Sequence, residues 1–225
     1  MNGRDVNIPE CPEGNDNCCL AAELRRLRAE RDRLLELVET DQLTGLYNYR
    51  HLIKSLDHEM ERTRRTGLPV ALAMIDLDFF KRVNDRYGHE AGNKALREVA
   101  RICKHRIRRI DILCRYGGEE FALILPGTRL EMAVKTAERL RRELRSTPVN
   151  LEGRDVIITA SFGVGVYRTR DTFSVEEFIR HVDRYLLLAK SRGRNRVCYR
   201  ESRVDSLGTD LSREERKALL DDKGK

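Results

Sequence analysis

The sequence lacks the patterns that are typical of a membrane-spanning helix, of a secretory signal peptide and of a structural zinc site. It has no apolar run of roughly 18 residues, the length that a membrane-spanning helix needs. It shows no signal peptide with a basic start, an apolar middle and a small-residue cleavage site. Its six cysteines follow no standard zinc-ligand spacing. These absences predict a cytoplasmic protein without a membrane span.

The cysteines divide into two groups by their surroundings. Half of them fall in the polar stretch before residue 20, where a disordered leader (1–19) with incidental thiols is favoured over metal chelation or a redox role. The other half lie in apolar contexts, where a free thiol behaves as a small hydrophobic side chain, and are predicted to be in the core. The first group is Cys11, Cys18 and Cys19, and the second is Cys103, Cys114 and Cys198.

Length and charge set broad limits on the domain content and the partners. A chain of 225 residues holds one domain of ordinary size plus an appendage. The net charge of +7 indicates anionic partners, for which nucleic acid or an anionic membrane are the generic candidates. Phosphate-rich nucleotides satisfy the same charge. Nonspecific nucleic-acid binding would show as an affinity for DNA that falls steeply with salt, without turnover.

Residues 20–40 are predicted to form a helical stalk. Apolar residues recur there with 4-3 spacing, although Arg31 occupies one seam position. The spacing favours a short coiled coil that brings two chains together, and the alternative is a helix that packs on its own domain. The apolar positions are Leu20, Leu24, Leu27, Leu34 and Val38. The tail, 201–225, is highly charged and its role cannot be read from the sequence.

Two adjacent carboxylates occupy the tip of a predicted hairpin. The apolar runs 110–114 and 121–125 flank the pair Gly117-Gly118, which is typical of two antiparallel strands joined by a tight turn. The glycines tolerate a positive φ and allow another molecule to approach the backbone. Glu119 and Glu120 follow them directly. In isolation, such a tetrapeptide would be interpreted as a solvated turn.

A second acidic position lies upstream, at the end of a buried strand. The six apolar residues 70–75 lead into Asp76. A charge at the end of such a strand is costly unless it is paired or bound to a metal, so Asp76 requires a cation. If Asp76 and Glu119 converge, they could hold Mg²⁺, which prefers oxygen ligands and leaves positions open for phosphate oxygens.

Three separated motifs, DQLTGLYN (41–48), MIDLDFFKRVND (74–85) and RYGGEEF (115–121), resemble those of the GGDEF family of diguanylate cyclases. The likeness extends over about residues 41–199, in the expected order. It implies an α/β catalytic domain (41–200) with a central, mostly antiparallel sheet flanked by helices, a palm-like cyclase core. The predicted element order after the stalk is αβααββαβαβ, with helices expected over 51–65, 93–107 and 176–190.

The resemblance also implies a reaction and its cofactor. Two GTP molecules, one on each domain of a homodimer, would condense into cyclic di-GMP and two pyrophosphates. Mg²⁺ (or Mn²⁺) would be held by Asp76, Glu119 and the Leu77 carbonyl, and Glu119 is also a candidate for taking the proton. No nucleic-acid partner is expected on this reading.

The family likeness assigns the triphosphate to backbone and cations. The backbone around Phe79 and Phe80 would cradle the phosphates, since the turn from a strand into a helix offers N–H groups. Lys81 would neutralise charge at the reacting phosphates. The remaining expected substrate contacts are Gly117, Gly118, His89, Lys190 and Arg194.

The base-reading positions depart from the family pattern. Asn84 and Asn93 align with the two residues that read the guanine edge, and the second of these is normally aspartate. An asparagine offers one donor and one acceptor, so it pairs with guanine less completely and could match adenine. Two alternatives follow: an unchanged preference for GTP, or relaxed specificity that also uses ATP and forms cyclic GMP-AMP or cyclic di-AMP.

An Arg-x-x-Asp motif precedes the hairpin. Arg108 and Asp111, with Arg139 on the next helix, are placed as in the family's product-inhibition site. Arginine suits a phosphate or a guanine edge, and aspartate accepts from guanine N1–H and N2–H. Ordinary surface ion pairing is the structural alternative. A non-catalytic receptor that binds cyclic di-GMP through these residues is the functional alternative.

Overall fold

A five-stranded sheet forms the centre of the computed structural model, which describes residues 19–37 and 39–200. Its strand order is β2-β3-β1-β6-β7, and every neighbouring pair is antiparallel except β6 with β7. The predicted mostly antiparallel sheet is therefore confirmed. Its strands are β1 Val70–Leu77, β2 Ile112–Gly117, β3 Glu120–Leu125, β6 Ala160–Tyr167 and β7 Val197–Tyr199. The helices are α1 Cys19–Leu37, α2 Tyr49–Thr66, α3 Phe80–His105, α4 Leu130–Ser146 and α5 Val175–Ser191.

Strand β1 is the middle strand, and all eight of its residues are buried. Its alternate residues belong to two separate hydrophobic clusters, as expected when both faces of a sheet are covered. Apolar residues of α3 and α4 complete one cluster, and those of α2 and α5 complete the other. Near its carboxyl end, Asp76 lies opposite Glu120 of β3 and Ser161 of β6. The acidic residue that follows the apolar run is therefore held between two strands.

The helix boundaries follow ordinary capping chemistry. The Asn48 side chain accepts a hydrogen bond from the His51 amide at the start of α2, and Gly67, with φ 77°, ends that helix. Helix α5 begins with a capping box in which Ser174 and Glu177 bond to each other's backbone amides. Both helices extend slightly beyond the ranges predicted from sequence.

Helix α3 begins much earlier than the predicted residue 93. It starts at Phe80 and continues to His105, with a break at Gly88, where φ is 81° and ψ is 164°. The two helices expected after β1 therefore follow each other directly, one on each side of the break at Gly88, and are described together as α3. The kink occurs where a residue without Cβ permits a conformation that helices exclude.

A short hairpin was missed. Strands β4 (Val149–Leu151) and β5 (Arg154–Val156) pair with each other and lie outside the main sheet. The sequence predicted residues 156–167 to be a strand pair or one long bent strand, whereas β6 begins only at Ala160. Strands of three residues give too little alternation to be recognised from sequence.

The predicted core cysteines Cys103, Cys114 and Cys198 are buried, as expected. Helix α1 agrees with the predicted stalk helix, and its Leu27 and Leu34 are exposed. Cys11, Cys18, most of the predicted leader and the tail lie outside the described residues. Within those residues, none of the helices combines the length and apolar character that crossing a bilayer requires. The division into leader, stalk, catalytic domain and tail stays a prediction.

Candidate active site

Two acidic residues from separate motifs lie at the same edge of the sheet. Asp76 ends the apolar run of β1, and Glu119 lies in the turn between β2 and β3. The Leu77 amide donates a hydrogen bond to the Glu119 carbonyl, with an N···O distance of 3.3 Å. Since β1 and β3 are neighbours, this contact brings the hairpin turn against the end of β1. The structure thus places together the two residues expected to form the catalytic centre.

The electrostatics of this edge are those of crowded carboxylates. Burial raises the pKa of Asp76, and the Lys190 ammonium only partly opposes that increase. Burial, and then the negative charge of Asp76, raise the pKa of Glu119. The same two causes, in the same order, raise the pKa of Glu120. Asp76 thus makes ionisation of both glutamates less favourable, and a bound cation would relieve this repulsion.

Lys190 supplies the cation that Asp76 was predicted to require. Its Nζ lies 2.7 Å from Asp76 Oδ2, and Asp76 is only 8% exposed. The lysine belongs to the last turn of α5, which packs on β6 and β1. Lys190, expected at the triphosphate, is therefore also an ion-pair partner of the predicted metal ligand.

The hairpin turn is held by an arginine that sequence reasoning did not select. Arg115 donates two hydrogen bonds to the Gly118 carbonyl, at 3.0 and 2.7 Å. Its Nη1 also lies 3.2 and 3.1 Å from the two carboxylate oxygens of Asp41. Gly118 itself has φ 38°, a conformation that L side chains rarely adopt. Arg115 therefore links the segment after the stalk to the turn that carries Glu119.

The pKa of Asp41 reflects this link. Burial alone would raise it, but hydrogen bonds from Thr44 and the charge of Arg115 outweigh burial and lower the pKa. Asp41 and Arg115 belong to the first and third motifs of the sequence. Their opposite charges could have suggested an ion pair, but the sequence does not show that two segments so far apart lie next to each other.

Asp78 is a buried carboxylate beside this edge to which the sequence gave no role. Its carboxylate is 7% exposed and accepts hydrogen bonds from the Thr159 and Ser161 hydroxyls, at 2.8 and 2.6 Å. It also accepts one from the Asn195 amide at 3.0 Å. Asp78 thereby fixes the loop after α5, which carries Arg194.

The two phenylalanines after β1 have different environments. Phe80 is 3% exposed and belongs to the core, whereas Phe79 is 50% exposed and has φ 56°. The Arg194 guanidinium carbon lies 4.6 Å from the centroid of the Phe79 ring. Lys81 is exposed in the first turn of α3. The expected phosphate-binding groups Phe79, Lys81 and Arg194 thus surround the start of this helix.

The predicted base-reading residues lie on either side of the α3 kink. Asn84 is half-buried and packs so closely on Gly92 that a Cβ there would overlap Asn84 Oδ1. Asn93 is adjacent and exposed, and His89 is also exposed. The kink at Gly88 therefore allows the side chain of Asn84 to approach the segment that carries Asn93.

The Arg-x-x-Asp motif forms a compact group. The Arg108 amide donates to Asp111 Oδ2 at 2.8 Å, whereas Asp111 Oδ1 is buried and has no hydrogen-bond partner in the part of the chain that the structure describes. Burial raises the pKa of Asp111, and the charges of Arg108 and Arg139 oppose that increase. Arg139 also donates to the Arg106 carbonyl at 2.7 Å. The predicted trio is therefore brought together around an unsatisfied acceptor.

The donor set at the sheet edge suits Mg²⁺ better than a soft metal. Across the described ranges, no three His, Cys, Asp or Glu side chains form a group that could hold an ion alone. Asp76 and Glu119 offer carboxylate oxygens, so the remaining ligands would have to be a carbonyl, water or nucleotide oxygens. Mg²⁺ is commonly bound by one or two carboxylates together with water and phosphate oxygens.

Comparisons with known proteins agree with this geometry. Residues 38–196 match the family model described as "Diguanylate cyclase, GGDEF domain". Over 173 residues the chain is 41% identical to the response regulator PleD of Caulobacter vibrioides. The matched region covers 76% of this chain but only 38% of PleD. The chain thus spans little more than a third of that relative.

Two solved structures are similar in fold as well as in sequence. Diguanylate cyclase SiaD of Pseudomonas aeruginosa, in complex with its activator SiaC, is 39% identical with a TM-score of 0.69, over 80% of this chain and 70% of that chain. The coiled coil and GGDEF domain of DgcB from Caulobacter crescentus, in complex with c-di-GMP, is 29% identical with a TM-score of 0.69, over 80% and 95%. On the family match, the shared motifs and the shared fold, the chain belongs to the GGDEF family of diguanylate cyclase domains.

Proposed function

We propose that the chain is a diguanylate cyclase that condenses two GTP molecules into cyclic di-GMP and two pyrophosphates. The observation that carries this proposal is the meeting of Asp76 and Glu119 at one sheet edge, beside the cations Lys190 and Arg194. Carboxylates there suit a divalent cation, and the basic groups suit a triphosphate. If Lys190 and Asp76 formed only a structural ion pair, there would be no need for Glu119 and Glu120 nearby, whose pKa values are raised.

In the proposed reaction, the 3′-hydroxyl of one nucleotide attacks the α-phosphorus of the other, and a P–O bond to pyrophosphate breaks. Each domain binds one GTP, so two domains must face each other. Glu119 would accept the hydroxyl proton, and burial raises the pKa of its carboxyl, which makes the ionised form a stronger base. Lys81, Lys190 and Arg194 stabilise the negative charge of the phosphates.

Mg²⁺ (or Mn²⁺) fits the donor set of Asp76, Glu119 and the Leu77 carbonyl. When bound, it would lower the pKa of the attacking hydroxyl and neutralise charge on the phosphate. Lys190, whose Nζ pairs with Asp76, would then also contact phosphate oxygens. Its position in the last turn of α5, which packs on β6 and β1, keeps it near Asp76.

Homodimer formation through α1 is part of the proposal. Leu27 and Leu34 are seven residues apart, and both are more than half exposed, so they share one side of the helix and lack cover. A second copy of α1 would cover them. Similarity to a structure that includes a coiled coil supports this arrangement.

Product feedback is proposed at Arg108, Asp111 and Arg139. The orphan Asp111 Oδ1 is an acceptor that a guanine N–H could satisfy, and the arginines suit phosphate. We therefore expect Arg108→Ala to abolish inhibition by added cyclic di-GMP while the initial rate with GTP persists. Unchanged inhibition would contradict this assignment.

A product assay tests the main proposal. The chain is incubated with Mg²⁺ and equal amounts of GTP and ATP, and products are identified by mass spectrometry. Cyclic di-GMP is expected, and cyclic GMP-AMP beside it would show that Asn93 relaxes base selection. Glu119→Gln should abolish turnover, whereas Glu131→Gln, on the exposed start of α4, should retain it. Tight cyclic di-GMP binding without any product would instead favour a receptor.

A further inference from the structure

The Phe79 ring occupies an unusual position for an aromatic side chain. It is 50% exposed and its backbone has φ 56°, whereas the neighbouring Phe80 is buried in the core. A left-handed backbone conformation is unfavourable for a bulky residue. Core packing therefore does not explain the conformation of Phe79, so the explanation should lie in the contacts that its ring makes.

Two guanidinium groups contact this ring. The guanidinium carbons of Arg82 and Arg194 each lie 4.6 Å from its centroid, within the range of cation–π attraction. Because both distances refer to one centroid, the two groups are no more than about 9 Å apart. Phe79 thus joins a helix residue to a loop residue that is more than one hundred positions away in sequence.

The Arg194 loop is itself strained and held in place. Gly193, Arg194 and Asn195 have φ values of 104°, 57° and 45°. The Asn195 amide donates to the buried Asp78 carboxylate, and the Arg194 amide donates to the Ala189 carbonyl at 3.0 Å. Strained backbone persists where surrounding contacts hold it, and such places cluster at ligand sites.

Arg82 lies in the first turn of α3, three residues after Phe79. Its amide donates to the Phe79 carbonyl at 2.9 Å, and its side chain is exposed. Among residues 19–37 and 39–200, neither Arg82 nor Arg194 has a carboxylate within ion-pair distance. Two like charges on one ring repel each other, and an anion bound by both would remove that cost.

We propose that the Phe79 side chain is a positioning residue that holds Arg194 and Arg82 together for the phosphate chain of the nucleotide, with Arg82 as a further phosphate-binding residue. The inference rests on the proposed function only in the identity of its ligand, a nucleoside triphosphate. The ring keeps the two guanidinium groups oriented before the nucleotide arrives, so less conformational freedom is lost on binding.

The experiment measures nucleotide affinity by calorimetry with Mg²⁺, using a GTP analogue with an α,β-methylene bridge and, separately, GMP. Phe79→Leu should weaken binding of the analogue by about tenfold, the range expected for a lost cation–π contact and a less ordered arginine. Phe79→Tyr keeps the ring and should bind within about twofold of the unaltered chain. Affinity for GMP, which lacks the outer phosphates, should not change in either variant.

A double-mutant cycle distinguishes positioning from a general structural effect. In an Arg82→Ala, Arg194→Ala background, Phe79→Leu should have little further effect on binding of the analogue. Full additivity, equal weakening of GMP, or unaltered analogue binding in Phe79→Leu would each overturn the inference. Far-ultraviolet circular dichroism and urea unfolding verify the fold of each variant.

The two proposals fail separately. Suppose that the unaltered chain makes no cyclic dinucleotide but Phe79→Leu loses affinity for the analogue and not for GMP. The proposed catalysis is then wrong, and the role of Phe79 in positioning Arg82 and Arg194 for phosphate (the phosphate clamp) stands. If cyclic di-GMP is made and Phe79→Leu binds the analogue normally, only the clamp is wrong.

Discussion

Replacing Lys190 with methionine should destabilise the fold in a way that depends on pH. The substitution keeps most of the side-chain volume but removes the ammonium that lies 2.7 Å from Asp76 Oδ2. Breaking a fully buried ion pair costs about 3–5 kcal/mol. The Lys190 side chain is 28% exposed and that of Asp76 11%, so water offsets part of the loss. We therefore expect a decrease of about 1–2 kcal/mol in the free energy of unfolding near neutral pH.

The sign of the pH dependence follows from the state of Asp76. The pair contributes only while this carboxylate is ionised, and burial raises its pKa above the ordinary value. As the pH falls through that raised pKa, Asp76 becomes protonated and gains nothing from Lys190. The stability difference between the unaltered chain and Lys190→Met should therefore shrink on acidification and be largest above neutrality. Lost interaction with the helix dipole would not vary with pH in this range.

Urea unfolding from about pH 4 to about pH 8, followed by circular dichroism, measures this difference. Lys54→Met is a matched control, because Lys54 also pairs with a carboxylate, Glu39 at 3.0 Å, but is 76% exposed. It should leave stability almost unaltered at each pH. A Lys190→Met variant as stable as the unaltered chain above neutrality, or a loss that is constant with pH, would refute the argument that Asp76 depends on Lys190.

Three further outcomes follow from other contacts. Arg115→Met removes both hydrogen bonds to the Gly118 carbonyl and also the ion pair with Asp41, in which the two side chains are 15% and 22% exposed. It should lower the rate of cyclic di-GMP formation at least tenfold and the free energy of unfolding by about 1–2 kcal/mol, as measured by product assay and urea unfolding. Burial raises the pKa of Cys103 and of Cys114 to about 12, so neither should react with iodoacetamide near pH 8 until the protein is unfolded, as mass spectrometry would show. Burial also raises the pKa of Asp111, so its ionisation disfavours folding. Asp111→Asn should therefore gain stability relative to the unaltered chain as the pH rises through that pKa, while losing affinity for cyclic di-GMP in calorimetry.

The parts of the fold that the sequence predicted well are those with a distinct local pattern, such as a continuous apolar run or a glycine pair. The six apolar residues before Asp76 identified the middle strand, and the glycine pair at 117–118 identified the hairpin. The mostly antiparallel arrangement came from family resemblance rather than from periodicity, and the strand order was not predicted. The short β4–β5 hairpin was missed because three residues per strand carry almost no pattern.

The candidate site was predicted residue by residue, but its internal contacts were not. The sequence placed Asp76 and Lys190 in the same site and gave them separate roles, whereas the structure joins them as an ion pair. It left Arg115 unassigned, although this side chain connects two motifs more than seventy residues apart. Such contacts depend on how helices and strands pack in three dimensions, which periodicity and spacing do not encode.

The contrast between Asp76 and Asp78 supports the proposal that Asp76, rather than Asp78, binds the metal ion. Both are buried, and they are two residues apart around the end of β1. Asp78 accepts three hydrogen bonds, two from hydroxyls and one from a backbone amide, so its negative charge is compensated by groups that cannot move away. Asp76 instead pairs with the ammonium of Lys190, a partly exposed lysine. Because a lysine side chain is flexible and can transfer its contact to phosphate, Asp76 can receive a cation without leaving a buried donor unsatisfied.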